Sequence, residues 1–291
     1  MSSIKILSLN VRGLRNQVKR RALFAYLKNQ KADFYCLQET FSQKLNENTW
    51  CQEWGGKIIF SHGTEHSKGT CILQKPNSAC LLKSLSINPN GRYVFGKISI
   101  ADEELFIASV YAPNDHQLQL SFSQALSQTV VSVTNTSKLI ITGDWNTTLH
   151  SIDKRGGAPW KETGYRNSII CLLEELGELH PNKRASTYES KALKLKSRID
   201  FFLISHSFIS NAEKAEVRSS IAPDHKALFL RLQIDNSMKR GPGTWKFNNL
   251  LLGDNDYRLL INAFLPIILE KYKDVESKKT AMGINKNGNS F

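Results

Sequence analysis

Four apolar or β-branched residues, Leu139 to Thr142, run into Gly143, and the chain then presents Asp144, Trp145 and Asn146 in succession (LIITGDWN). Such a run reads as a buried strand, and its polar end must lie at the rim of a sheet, where side chains can leave the core. The pattern recurs. LSLN ends at Asn10, FYCLQ is followed by Glu39, FIASVY ends at Tyr111, SRIDFFL carries Asp200, and Asp224-His225 precede the strand-like KALFLRLQI. Any one of these residues alone is ordinarily a cap or a turn residue. Six in one chain call for a fold that gathers strand ends.

Periodicity along the chain alternates between strand and helix. Strands are predicted at Ile4–Val11, Ala32–Gln38, Lys57–Ser61, Lys68–Lys75, Tyr93–Ile100, Leu105–Tyr111, Leu139–Asp144, Arg198–Ser205, Ala215–Arg218 and Lys226–Ile234. Helices are predicted at Arg15–Gln30, with Val18, Leu23, Ala25, Tyr26 and Leu27 on an apolar face, at Leu118–Val133 and at Tyr165–Leu176. Strand runs broken by so few helices indicate an α/β chain with two packed sheets and helices outside, not a doubly wound parallel sheet. After Ile234 the composition changes to the basic, Pro/Gly-containing NSMKRGPG, which places a domain boundary near Asn236. Residues 1–236 form the main domain, 237–276 a linker with a helical segment, and 277–291 a Lys/Asn/Gly-rich tail expected to be disordered.

The chain of 291 residues carries a formal net charge of +13. From Asp235 onward there are 9 Lys+Arg and 6 Asp+Glu, leaving 30 against 20 in residues 1–234. The excess therefore belongs to the folded part, and a polyanion, nucleic acid before membrane, is the expected partner. Five cysteines without a CxxC pair fit a reducing compartment and give no support to a zinc site. The N-terminus is too quickly polar for a signal peptide, and the longest apolar run, LLINAFLPIIL, is interrupted by Asn262 and Pro266. A soluble, intracellular protein is expected.

The residue types at the strand ends define a chemistry. Phosphodiester hydrolysis needs a hard cation held by carboxylates, a group to deprotonate water, and donors for the charge growing on the phosphate oxygens. Glu39 suits the cation. Asp144 suits the water, with Asn146 expected on the same side of an extended backbone. His225 can donate to phosphate, with Asp200 holding its ring, and Tyr111 offers a further donor. No P-loop, GxGxxG, HExxH or GxSxG is present.

Taken in order, LNVRGL, QET, VYAPN, GDWN, SRIDFF and PDH resemble the endonuclease/exonuclease/phosphatase superfamily, which includes the apurinic/apyrimidinic endonucleases and pancreatic-type deoxyribonuclease. NVRGL, SRIDFFL and GPGTWKFNNLLL resemble most the endonuclease domain of LINE-type non-LTR retrotransposon polyproteins, in which a WKFNN-like segment leads toward a reverse transcriptase. The resemblance implies a four-layer α/β sandwich of two mostly antiparallel sheets flanked by helices. It implies Mg2+, with Mn2+ as a substitute, held by Asn10, Glu39 and Asp224. Tyr111 would contact phosphate, Asp144 and Asn146 would position water, and Asp200 would pair with His225. Thr187 matches a threonine before a DNA-probing hairpin, and with Arg12, Arg15, Lys154, Arg155, Lys191, Lys194 and Lys196 makes up the expected contact surface for double-stranded DNA. Leu193 and Leu195 are an apolar pair in that hairpin.

The implied activity is a nick leaving a 3′-hydroxyl that primes reverse transcription, by a monomer acting on chromosomal DNA in the nucleus or held in the cytoplasm as a ribonucleoprotein, with element RNA reached through a parent polyprotein. One departure is visible: the family pattern before the Asp-His pair is usually serine, and here it is Pro223. Three alternatives compete with target-site nicking. They are repair-type incision at abasic sites, a phosphatase acting on inositol lipids or sphingomyelin, and a non-catalytic nucleic-acid-binding remnant.

Overall fold

The computed structural model describes residues 2–100, 103–133, 138–179 and 185–234, with a few residues between 255 and 266. Two compact units divide the chain, Met1–Asn236 and Ser237–Phe291. The linker from Ser237, the Trp245–Asn249 motif and the tail from residue 277 lie outside the described residues, and most of the expected helical segment before that tail does too. Among the described residues no helix is long and apolar enough to cross a membrane.

In chain order the first unit runs β1 (Ser2–Asn10), α1 (Gln17–Asn29), β2 (Phe34–Gln38), α2 (Glu47–Trp54), β3 (Ile58–Ser61), β4 (Thr70–Gln74), β5 (Leu81–Ile87), β6 (Tyr93–Ile100) and β7 (Glu103–Tyr111). It continues with α3 (His116–Val133), β8 (Leu139–Asp144), β9 (Lys154–Arg155), α4 (Gly164–Glu175), β10 (Leu176–Leu179), β11 (Tyr188–Ser190) and β12 (Leu195–Ser197). Last come β13 (Asp200–Ser205), α5 (His206–Ile209), β14 (Ala212–Arg218) and β15 (Ala227–Ile234). Two six-stranded sheets form, in the orders β14-β15-β1-β2-β4-β3 and β10-β13-β8-β7-β6-β5, beside a small sheet β11-β12-β9. Each large sheet is antiparallel except for one central parallel pair, β1 with β2 and β7 with β8.

Alternation along each strand sorts its side chains between two environments. Ile4, Ile6, Phe34, Cys36, Ile107, Ile140, Phe202 and Leu230 meet in one core between the sheets. Leu7, Leu9, Tyr35 and Leu37 point the other way, onto Leu23, Phe24 and Leu27 of α1 and Trp50 and Trp54 of α2. Val110, Ile141 and Phe201 likewise meet Phe122 and Leu126 of α3 and Tyr165 and Ile169 of α4. With each fully buried large apolar side chain contributing about 1.5–3 kcal/mol, three cores stacked in series make a stiff frame.

The core-facing stripe turns polar toward one rim. Ser8, Gln38, Ser109 and Thr142 are all buried there. Gln38 Nε2 lies 3.2 Å from Ser8 Oγ and 3.0 Å from Ser109 Oγ, which ties the two sheets together just beneath the rim.

One local expectation changes, and two elements carry no readable signal. Val18 is 78% exposed, because α1 buries Arg20, Leu23, Phe24 and Leu27 and leaves its first turn in solvent. Helix α2 carries too little periodicity to be read, since only Trp50 and Trp54 of its eight residues are buried. Strand β5 escapes pattern reading because a bulge between Ser84 and Ser86 breaks its alternation.

Candidate active site

Parallel pairing places the ends of two strands at the same rim, and the molecule does this once in each sheet. Asn10 closes β1 level with Gln38 at the end of β2, and Glu39 follows. Tyr111 closes β7 level with Asp144 at the end of β8, and Asp200 opens β13 opposite Asp144. His225 stands just before β15, which is antiparallel to β1. Asn10, Asp144, Asp200 and His225 are each 5% exposed or less. Close approach of β8 to β7 requires Gly143, where a Cβ would meet the Val110 carbonyl oxygen at 1.9 Å and φ is +152°.

Hydrogen bonds weld the rim together. Asn10 Nδ2 donates to Glu39 Oε1 at 2.9 Å and to Asp144 Oδ2 at 2.8 Å. His225 Nδ1 lies 3.0 Å from Asp200 Oδ2, and its Nε2 lies 3.8 Å from Asp144 Oδ2. Burial pushes the His225 pKa down, but the charge and hydrogen bond of Asp200, with Asp144 and Asp224 beyond, outweigh it and raise the value to about 9. The ring is therefore an imidazolium at neutral pH. Asp144 is raised in turn by burial and by the charge of Asp200, against His225 and Asn10, so it holds a proton more readily than an ordinary carboxylate. Tyr111 is kept protonated by burial and by the charges of Glu39 and Asp144, and the Arg92 guanidinium covers its ring at 5.1 Å.

Asn146 departs from the extended geometry expected of it. Its φ of +48° turns the chain, its N–H donates to Asp144 Oδ1 at 3.0 Å, and its Nδ2 donates to the Ala112 carbonyl at 2.8 Å. The residue still lines the site, but by closing a turn over Asp144. Glu39 and Arg12 also have positive φ, 51° and 47°. Left-handed backbone at three non-glycine residues costs about 1–3 kcal/mol each and is the kind of strain that collects at functional sites.

The donor set fits a hard divalent cation. Asp224 Oδ1 is buried with no hydrogen-bond partner, and Glu39 and Asp224 open into one cavity. Asp144, Asp200 and His225 also bring ligand atoms within 4.8 Å of one another, but the Asp200–His225 hydrogen bond closes that trio. Asn10 holds Glu39 in place and accepts from the Arg12 N–H at 3.1 Å. Beside Pro223, the Ser220 hydroxyl donates to the His225 carbonyl and accepts from the Ala222 N–H, bracing the turn that carries Asp224.

Around the rim the basic residues divide. Arg12 is paired with Asp224, Arg15 with Glu65, and Lys196 with Glu189. Lys154 lines the cavity, while Arg155, Lys191 and Lys194 are exposed. Thr187 is fully buried, so it cannot touch DNA. Its Oγ1 instead accepts from the N–H groups of Ile199 and Asp200, at 3.2 and 3.1 Å, and so positions the start of β13. The hairpin β11–β12 is joined to the site at its base, through a bridge between Tyr188 and His225 and hydrogen bonds from Glu189 N to Asp224 O and Lys226 N to Thr187 O. Leu193 at the tip is 64% exposed, whereas Leu195 lies over Gly157.

Sequence reasoning missed several supporting side chains. Arg198 is buried in a two-pronged bond to Asp153, 2.8 and 2.7 Å, which pins the hairpin base to the loop beyond Asn146. Gln38, Arg92 and Trp160 were missed as well. The SRID motif held Arg198 in plain view, but a buried arginine is legible only once its partner 45 residues away is known.

Comparison with known proteins agrees with this geometry. The endonuclease/exonuclease/phosphatase family profile matches residues 7–218. The chain is 29% identical over 264 residues to an uncharacterized 149 kDa protein of transposon TX1 from Xenopus laevis, covering 88% of this chain and 20% of that protein. It therefore spans about a fifth of that relative's length. The endonuclease domain of TRAS1, a telomere-specific non-LTR retrotransposon, superposes with a TM-score of 0.63 at 14% identity, covering 80% of this chain and 99% of that one. The apurinic/apyrimidinic endonuclease LMAP from Leishmania major gives 0.66 at 15% identity, covering 80% and 88%. The family match, over a rim built from both sheets, makes this chain a member of the endonuclease/exonuclease/phosphatase family.

Proposed function

We propose that the chain is a magnesium-dependent DNA endonuclease that nicks one strand of target DNA and leaves a 3′-hydroxyl suited to priming reverse transcription. The observation that carries this reading is the convergence of the two parallel strand pairs, which brings Asn10 and Glu39 against Asp144, with His225 between Asp144 and Asp200. Glu39 and Asp224, with Asn10 beside them, would hold Mg2+, or Mn2+ in its place, which would neutralise charge on the phosphate. Asp144 takes the proton of the attacking water, and the Asn146 turn fixes that carboxylate. The new bond forms from water oxygen to phosphorus as the bond from phosphorus to the 3′ oxygen breaks, and that oxygen takes a proton from solvent to leave as the 3′-hydroxyl. The His225 imidazolium and the Tyr111 hydroxyl donate to the phosphate oxygens, while Asp200 holds the ring.

The excess of basic residues in 1–234 and the cations at the rim favour DNA over a lipid phosphoester. As part of a longer element-encoded protein, the domain acts as a monomer on chromosomal DNA in the nucleus, with element RNA carried by the rest of the polyprotein. Similarity to a much longer transposon protein supports that setting. Structural likeness to an apurinic/apyrimidinic endonuclease favours a second reading, incision at abasic sites.

Supercoiled plasmid separates the two. With Mg2+ the relaxed circle should appear, without it should not, and nicking should weaken steeply between about 50 and 200 mM salt. Nicking confined to acid-depurinated plasmid selects the repair reading. No metal-dependent nicking of either plasmid rules out both.

A further inference from the structure

Away from the rim, on the outer face of the sheet that holds β1 and β2, one level of the sheet is almost wholly cationic. Lys5 of β1 pairs in register with Arg231 of β15, and Arg231 with Lys214 of β14. On the other side of Lys5 stands Asp33, just before β2, whose Oδ2 accepts from the Lys5 N–H at 2.9 Å. Lys75, just past β4, donates its N–H to the Asp33 carbonyl and pairs its ammonium with the Asp33 carboxylate. Alternation fixes where these side chains point. Ile4, Ile6, Phe34, Leu230 and Leu232 face the core between the sheets, and Ala215 packs against it, so Lys5, Asp33, Arg231 and Lys214 face outward. At strand spacings of about 4.8 Å, the four cations and one carboxylate form a row about 19 Å long.

Like charges directly opposite one another on paired strands are destabilising, so the row needs a reason. Lysine on an edge strand blocks edge-to-edge pairing, which accounts for Lys214 on β14, but β1 and β15 are interior strands. Counter-charge is short. Asp33 is taken by Lys75, and Glu216 by Lys214 and Arg218, while Glu213 stands exposed at the bulge of β14. Among the described residues neither the Lys5 ammonium nor the Arg231 guanidinium forms an ion pair, and Arg231 Nε is buried without a hydrogen-bond partner.

A straight row of cations is neutralised by a regular row of anions, and the phosphates of nucleic acid supply one. No aromatic side chain stands in the row. Single-strand binding draws on aromatic stacking, so the complement here is a double helix held by its backbone alone. The row lies five residues down β1 from Asn10, about 16 Å, and faces away from the rim, so a duplex being cut there leaves it uncovered. We propose that the outer face centred on Lys5 and Arg231 is a second, non-cleaving contact for the backbone of duplex DNA, holding a segment other than the one at the rim. The proposal rests on the DNA endonuclease reading above and adds to it a second binding surface. Holding one segment raises the effective concentration of the rim on its neighbours in coiled DNA.

Stoichiometry tests it without cleavage. The full chain, in EDTA and low salt, is titrated with a labelled duplex of about 15 base pairs, too stiff to wrap from the rim to the outer face. Wild type should bind two equivalents. Lys5→Gln/Arg231→Gln should bind one, and should nick the same short duplex in Mg2+ within about twofold of wild type, because the two sites are far apart. If that double variant folds poorly, Lys214→Gln on the exposed edge strand decides: it should keep the second equivalent with a salt slope lower by about 1. One equivalent on wild type, two on the double variant, or an unchanged slope for Lys214→Gln overturns the second face. Unlabelled single strand, or phosphatidylserine vesicles, displacing the second duplex as well as unlabelled duplex does would overturn the choice of partner. Metal-dependent nicking by wild type reads the underlying function separately. Nicking with a single bound equivalent sinks the second face alone, and two equivalents without nicking sink the nuclease reading alone.

Discussion

The two halves of the sandwich are built alike and equipped differently. Each sheet has six strands, one central parallel pair and two helices on its outer face. The half built on β1 and β2 brings Asn10, Arg12 and Glu39, with Asp224 and His225 entering at β15, so it alternates negative ligands with positive donors. The half built on β7 and β8 brings Tyr111, Asp144, Asn146 and Asp200, a set without a cation. Asn10 reaches across the seam, donating to one carboxylate of each half. Under the proposed reading, cation holding and water activation fall to separate sheets and should be separable.

That separation can be broken most severely by kinetics. Asp144→Ala and His225→Ala should each lower plasmid nicking about a hundredfold or more and leave the Mg2+ concentration at half-maximal rate unmoved. Retention of activity within about threefold would remove both from the chemistry. Glu39→Ala is the complementary case. It should raise the Mg2+ requirement by about tenfold or more, and an unchanged metal titration would put cation holding elsewhere.

The hairpin belongs to neither half, since its base bonds to the segment before β15 while Thr187 braces β13. Replacing Lys191–Lys194 by a short Gly-Ser turn, which leaves the root bond from Glu189 to Asp224 in place, should flatten the distribution of nick positions on plasmid DNA and cost less than about tenfold in rate. Mapped nick sites identical to wild type would confine target preference to the rest of the rim.

The smallest expected effect lies on the outer face of the first half. Arg20 hydrogen bonds hold Glu53 down to about 2 despite its burial, with Gln17 and Arg21 helping. A depressed carboxylate stabilises the fold above its unfolded value, near 4.5, and that contribution fades as pH falls toward 2. The melting temperature of wild type should therefore drop more steeply through that window than that of Glu53→Gln. Parallel curves would show that the α1–α2 clamp adds nothing to acid stability.

Much of the site was legible because core-facing alternation announces itself. In LSLN and LIITGD the same parity that buries Ile6 and Ile140 delivers Asn10 and Asp144 to the rim, so a polar residue closing a buried run is readable as a site residue. Backbone turns were not legible. Nothing in DWN distinguishes an extended Asn146 from one with positive φ, because aspartate and asparagine tolerate both. Thr187 is placed on the contact surface only by the family resemblance, and nothing local in ASTYES shows that its hydroxyl is buried against the Ile199 and Asp200 N–H groups at the start of β13. Trp160 escaped notice among KRGGAPWKET because its partners, Thr148 and Arg166, are aligned by tertiary structure and by no local period.

The anchoring of β11 to the His225 segment has a consequence for how such an enzyme changes over generations. Backbone bonds from Glu189 to Asp224 and from Lys226 to Thr187 fix the root of the hairpin in register with His225, whereas the tip from Lys191 to Lys194 bears on no core. Insertions, deletions and charge swaps at the tip are therefore close to neutral for turnover, while a one-residue slip at the root would displace the imidazolium. Lineages that share this frame can rewrite the four or so tip residues and leave the arrangement of the rim unaltered.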